Sequence, residues 1–237
     1  MHKKGASSLE FILAFVLFAS FTVAVLYFFN PVKTLKNMDY SRDYTLNKII
    51  ENTSVDLDSY SIIIDQSALS PIIIEIPGMG NEKHVGAVNY GGVMVDAKRK
   101  SIDEFCVDIS NIDIINNKKF ATLYFSEDIA ESTGLSCIQD LDKSKYNIAS
   151  SLTDKVISES RFLLLNNSYP DYSALKTQLG IPADVDFSFS LILGEIKIVA
   201  GGPPEEITRE IFSETVRKEV LGTDGIPQFG ELTVSVW

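Results

Sequence analysis

The chain has 237 residues, is 45% hydrophobic and carries a net charge of −11. An acidic balance of this size argues against nucleic acid as a partner, because phosphate backbones reward clustered Lys and Arg. The length leaves room for one apolar membrane helix and one globular domain of ordinary size, or two small ones.

The chain opens with a basic head, Lys3 and Lys4, then the small residues Gly5-Ala6-Ser7-Ser8, one carboxylate at Glu10, and an uncharged run from Phe11 to Phe29. A helix of that length spans roughly the 30 Å hydrocarbon core of a bilayer. Ser20 and Thr22 lie within it and can bond back to carbonyls of their own helix. Asn30-Pro31 predicts a bend or break, since proline lacks the ladder donor. Lys33 and Lys36 follow at the expected water interface, where cationic side chains snorkel. An ordinary secretory leader places its small-residue cleavage site after the apolar stretch. Here that site comes before it, so cleavage after Gly5 leaves the helix on the mature chain.

These residues resemble the class III signal of type IV pilins and pilin-like proteins. Lys3 and Lys4 fit the basic head, Gly5 the residue before the scissile bond, Ala6 the new N-terminus and Glu10 the acidic fifth mature position. Ser8 and Glu10 also fit an alternating archaeal pattern, from which Ala6 departs. The resemblance covers about the first thirty residues of the sequence. It implies a prepilin peptidase as processing partner and assembly with other pilin-like subunits. In such an assembly Glu10 pairs with a neighbouring subunit's amine and sets register. Four residues separate Ala6 from Glu10, so the freed ammonium lies on the same helix face. The alternative is an uncleaved anchor with Glu10 among lipid headgroups. Lys3 and Lys4 against Lys33 and Lys36 leave orientation nearly balanced. The family resemblance, the cysteines and two glycosylation sequons favour a single-pass membrane protein with its C-terminal domain outside the cytoplasm, at the cell surface or in a pilus, with membrane lipid as a further partner.

Leu35, Met38, Arg42, Leu46, Ile49 and Ile50 predict a helical stalk over 35–51. Short β-branched runs then predict strands at 60–65, 71–76, 85–96, 105–109 and 120–125, assembled as an antiparallel sheet. From Tyr146 to Leu165, the spacing of Ile148, Leu152, Val156, Ile157, Phe162 and Leu163 predicts a helix capped by Asn147 or Ser150. A second helix is predicted at Tyr172–Leu179, closed by Gly180 with Pro182 beyond. The runs 187–193 and 195–199 on either side of Gly194 predict two strands or one bent strand, and a further strand is predicted at 232–237. The stretch 205–221 fits helix or strand, with strand favoured in its second half. The expected fold class is therefore α+β: a long N-terminal transmembrane or spine helix followed by a mainly antiparallel sheet head with one or two helices. The expected divisions are a leader at 1–5, helix and stalk at 6–52, and a head at 53–237. The segments Tyr169-Pro170-Asp171-Tyr172, Leu179-Gly180-Ile181-Pro182, Asp186-Phe187 and Val236-Trp237 look more loosely like archaeal membrane-anchored pilin-like proteins.

Residues that carry chemistry are few. His2 and His84 are the only histidines, too few for a zinc cluster or a backed-up triad. His84 lies in a polar stretch and reads as a solvated side chain. Asp140-Leu141-Asp142-Lys143-Ser144 faintly matches the start of a calcium loop but lacks its central Gly and closing Glu. The Gly78-Met79-Gly80 and Gly91-Gly92 stretches lack the Lys-Ser/Thr of a phosphate loop and read as turns. Cys106 and Cys137 either pair, closing a loop worth about 3 to 4 kcal/mol, or stay as buried thiols. Asn52 and Asn166 each begin an N-glycosylation sequon. No enzymatic activity, metal or cofactor is expected. The expected function is a pilin-like or pseudopilin structural subunit, with a non-polymerising, single-pass surface binding protein as the alternative. An anchored hydrolase is disfavoured because no nucleophile and base converge in the sequence.

Overall fold

A computed structural model describes residues 4–28, 31–130, 134–137, 140–202 and 210–237, and within the two N-terminal helices it describes side chains at 10–25 and from 38 onward. The basic head at Lys3, His2, the Asn30 bend, the side chains of Gly5, Ala6, Ser8, Lys33, Lys36 and Leu35, and the first part of 205–221 lie outside the described residues.

Helix α1 (Lys4–Phe28) precedes helix α2 (Pro31–Thr53). The second helix ends because its last side chains turn back on the chain: Asn52 Nδ2 donates to the Lys48 carbonyl, Thr53 Oγ1 to Ile49 and Ser54 Oγ to Ile50. These bonds to carbonyls four residues earlier compete with the main-chain ladder and favour the chain's leaving the helix. Strand β1 (Ser54–Asp65) follows at once, then β2 (Ile72–Glu75), β3 (His84–Asn89), β4 (Met94–Val95), β5 (Ala97–Arg99), β6 (Glu104–Val107) and β7 (Lys118–Ser126). A 3-10 turn at Lys143–Lys145 leads into β8 (Tyr146–Ser158), helices α3 (Glu159–Asn167) and α4 (Tyr172–Leu179), and strands β9 (Phe187–Leu193), β10 (Ile196–Ala200), β11 (Phe212–Leu221) and β12 (Pro227–Val236).

Nine strands form one sheet in the order β10-β9-β12-β11-β8-β1-β7-β3-β4, and β2, β6 and β5 form a second. Among the described residues every pairing is antiparallel except that of β8 with β11, which is parallel and covers only Ile157 with Val220 and Ser158 with Leu221. One core lies where α2, α3 and α4 cover β9 to β12, centred on Ile49, Phe162, Phe187 and Leu232. A second fills the space between the small sheet and the β1-β7-β3 half, around Ile64, Ile74, Phe105 and Phe125. A smaller cluster of Val55, Leu57, Ile129, Val156 and Leu221 bridges them. Because Leu46 and Ile49 are buried in the first core, the C-terminal half of α2 is part of the head's packing.

Several expectations are corrected here. The fold is mostly β, not α+β with a long transmembrane or spine helix. The part of α1 with described side chains, residues 10–25, measures about 24 Å against about 30 Å of hydrocarbon. Among the described residues no helix is long and apolar enough to cross a membrane, which overturns the single-pass localisation. The helix expected over 146–165 is also corrected, because its first thirteen residues are strand β8. The Ser150-Ser151-Leu152-Thr153 stretch and the β-branched Ile148, Val156 and Ile157 suit a pleated surface, and the cap is Ser158, whose side chain accepts from the Arg161 N–H. The 85–96 run is two strands split by a turn in which the Asn89 side chain accepts from Gly91 and Val93 N–H groups. Gly180 (φ 68°) closes α4 in the left-handed region, and Gly194 (φ 58°) turns the β9–β10 hairpin.

Candidate functional site

The most unusual surface of the molecule is α1. Its phenylalanines Phe11, Phe15, Phe18 and Phe21 are 65% to 75% exposed, and the intervening Ile12, Leu13, Val16, Leu17 and Val23 are exposed as well. None of them belongs to a hydrophobic core cluster. At about 100° per residue the four phenylalanines fall within an arc of about 120°. Much of the other side carries a shallow groove lined by the small residues Ala19, Ser20 and Ala24 with Val23. Ser20 Oγ donates to the Val16 carbonyl at 2.7 Å and Thr22 Oγ1 to Phe18 at 2.8 Å. Both hydroxyls are thus satisfied within the helix, and neither demands water. Glu10 is exposed at the N-terminal end of this apolar surface. Gly5 and Ala6 lie in the first turn of α1, where backbone N–H groups have no intrahelical partner and unwinding costs little.

The remaining sequence-singled residues are dispersed. Cys106, buried in β6, and Cys137 are joined, with S–S 2.03 Å and Cα–Cα 6.0 Å. The bond ties the segment after β7 back to the small sheet. Asn52 sits in the last turn of α2 and Asn166 in the last turn of α3. The Asn52 side chain is engaged with Lys48, and Ser54, the hydroxyl of that sequon, is engaged with Ile50. His84 opens β3, half-buried, with Nδ1 buried and unpartnered among the described residues. It is not the loop side chain that the sequence suggested. Asp142 caps the 3-10 turn by accepting from Ser144 N and Oγ. Among the described residues no group of three or more His, Cys, Asp or Glu could hold a metal.

Sequence reasoning missed the cleft where β8 and β11 diverge. It has a volume of about 650 Å³ and is walled by the end of α2, the start of β1, and β8, α3 and β11. Four basic side chains, Lys83, Lys155, Arg161 and Lys218, face four acidic ones, Glu51, Asp56, Glu127 and Glu219. Beneath them Lys83 Nζ donates to Asp58 Oδ2 at 2.6 Å, and Thr153 Oγ1 donates to Asp58 Oδ1 at 2.6 Å. The Asp58 hydrogen bond holds the Lys83 ammonium above its ordinary range. Arg161 is committed to Asp128 at 2.8 Å, Glu127 at 3.2 Å and the Ser54 carbonyl at 3.0 Å. A charge-balanced wall whose strongest donors are spent on its own frame supports structure, not anion capture. One sequence signal pointed here: Asp56 and Asp58 alternate with Val55 and Leu57 at the start of β1, and a carboxylate that becomes buried in such a strand needs a cationic or hydrogen-bonding partner. Compared with models of protein families, with curated proteins and with solved structures, the chain matches none.

Proposed function

We propose that the protein is a pilin-like structural subunit, processed after Gly5 by a prepilin peptidase and assembled through α1 with other pilin-like subunits into a filament or secretion-type assembly. The observation that carries this reading is the exposed apolar circumference of residues 10–25, which joins none of the protein's cores. A helix that is apolar on all sides requires cover. At about 1.5 to 3 kcal/mol for each large side chain fully buried, the exposed phenylalanines alone represent roughly 5 kcal/mol or more. The bulky Phe face and the Ala19-Ser20-Val23-Ala24 groove are complementary in size, so one copy's ridge fits another's groove. Once Ala6 carries a free ammonium, Glu10 of an adjacent copy has a counter-ion at the helix start, which sets the axial offset.

The test is Glu10→Gln in the producing cell, read with mass spectrometry of the mature N-terminus. The parent chain is expected to begin at Ala6 and to enter an assembly. The variant is expected to be processed and to fold but to lose assembly. A mature chain beginning at Met1, or normal incorporation of Glu10→Gln, refutes the reading.

A further inference from the structure

The nine-stranded sheet is continuous in order but not in hydrogen bonding. Strand β8 pairs with β1 from Tyr146 to Ile157, and β11 pairs with β12 along its whole length. Between them the ladder covers only two residue pairs, at Ile157 and Ser158. The two strands then part, so over residues 149–155 the second edge of β8 has no strand partner among the described residues. All seven of those residues are exposed, on both faces of the sheet. A strand inside a nine-stranded sheet thus presents a row of open N–H and C=O groups. Asp154 lies near Glu219 on β11, whose carboxyl is held above the ordinary range by burial first and by Asp154 second.

The sheet has a second long open edge. Among the described residues strand β10 is terminal and pairs only with β9. It leaves Ile196 48% and Val199 49% exposed, with Lys197 exposed between them. The other terminal strand, β4, is only two residues long and offers little template. The side chains on the two long edges match in one register. Set antiparallel with Lys197 opposite Asp154, Val199 falls opposite Leu152, which is 59% exposed. Opposite charges then face each other, and two exposed apolar side chains meet on the same face. A slip of one residue puts these pairs on opposite faces. A slip of two places Glu195 opposite Asp154, or Val199 opposite Asp154 and Lys197 opposite the buried Val156.

We infer that the open edge of β8 receives β10 of a second copy of this chain as an antiparallel strand, with Lys197 against Asp154 and Val199 against Leu152. The two surfaces are different, so the contact is head-to-tail and repeats from copy to copy. It goes beyond the helix-mediated assembly proposed above and does not depend on it.

The test uses the full chain in a mild detergent that covers α1, with Leu152→Cys and Val199→Cys together, under gentle oxidation. Residues opposite each other in an antiparallel pair stand about 4.5 to 5.5 Å apart at Cα, within disulfide reach. The expected result is a ladder of covalent dimers, trimers and longer species on a non-reducing gel. Lys197→Glu or Asp154→Lys alone is expected to lower self-association of the otherwise unmodified chain by about two- to fivefold, and the exchanged pair to restore it. Monomers alone, an equal ladder from Ser151→Cys with Val199→Cys, or equal cross-linking by Leu152→Cys alone overturns the proposal. So does failure of the exchanged pair to restore association. Because α1 is unaltered and covered, failure here leaves the Glu10→Gln test standing, and the reverse also holds.

Discussion

Replacing Lys83 with Met tests whether the Asp58 cluster fastens the β1 and β8 half of the molecule. The Lys83 ammonium lies 2.6 Å from Asp58 Oδ2, with side-chain exposures of 22% for Lys83 and 10% for Asp58. Met retains most of the length and apolar stem but removes the charge. The carboxylate is left in a poorly solvated position with Thr153 as its remaining side-chain hydrogen-bond donor. Breaking a fully buried ion pair from one side costs about 3 to 5 kcal/mol. Partial exposure of Lys83 lets some water reach the site, which places the expected loss at about 2 to 3 kcal/mol. In a chain of this size that lowers the melting midpoint by roughly 5 to 10 °C. Urea unfolding can be followed by the fluorescence of Trp237, the only tryptophan, which is buried and pairs through its backbone with Asp186. Circular dichroism on the same samples reads the whole sheet. Asp58→Leu combined with Lys83→Met removes both charges and is expected to recover at least half of the loss. A Lys83→Met chain within about 0.5 kcal/mol of the parent, or a double variant as unstable as the two single losses added, refutes the argument.

Two further outcomes follow from other parts of the frame. Reducing the Cys106–Cys137 bond releases a loop with a sequence separation of 31 and is expected to cost about 3 to 4 kcal/mol. Thermal unfolding with and without reductant checks this, and unchanged midpoints would remove the bond from any stabilising role. Asp108 is held below its ordinary 3.8, first by the Ser70 hydroxyl and then by Ser110. A depressed carboxylate contributes stability that is present above pH 3.8 and is lost as pH falls through the lower folded value. The stability gap between the parent and Asp108→Asn is therefore expected to close on acidification below that pH, and a gap that stays constant from pH 5 down to about 2 contradicts the assignment.

Local signals in the sequence were legible wherever a single residue type was required. Tyr172–Leu179 with Gly180 was readable because glycine takes the left-handed cap conformation without strain and Gly180 does so at the end of this helix. Gly194 marked a break between two apolar runs that fitted two strands or one bent strand, which the structure resolves as a hairpin, and the second half of 205–221 read correctly as strand. The stretch 146–158 was misread because Ile148, Leu152 and Val156 happen to be spaced by four. Along a strand those positions share a face only if no bulge intervenes, and one does: the register shifts between Ser61 and Ile62 opposite Ala149. Leu152, counted as part of a buried stripe, is in fact an exposed side chain on an open edge. The N-terminal run was counted as one membrane span because the sequence offers an uncharged stretch from Phe11 to Phe29, whereas among the described residues no helix is long and apolar enough to cross a membrane. The Cys106–Cys137 alternatives stayed open because they turn on a Cα separation that no sequence contains.

The β8 to β11 fork was invisible for a different reason. Strand pairing is a relation between distant segments, and nothing within Ser150–Lys155 says that its second edge lacks a neighbour. Composition does hold a trace of the consequence. An unprotected edge rich in Val and Ile would invite any strand, and proteins blunt such edges with charge. Here the edge carries Asp154 and Lys155, with Glu219 facing Asp154 across the fork. A strand that enters without a cation leaves Asp154 facing a like charge and gains little from Leu152 alone. A strand bearing Lys and then, two residues on, an apolar side chain relieves the repulsion and covers Leu152 in one step. Lys197 and Val199 have that spacing, and selection against other strands then comes from the same carboxylate that attracts the right one.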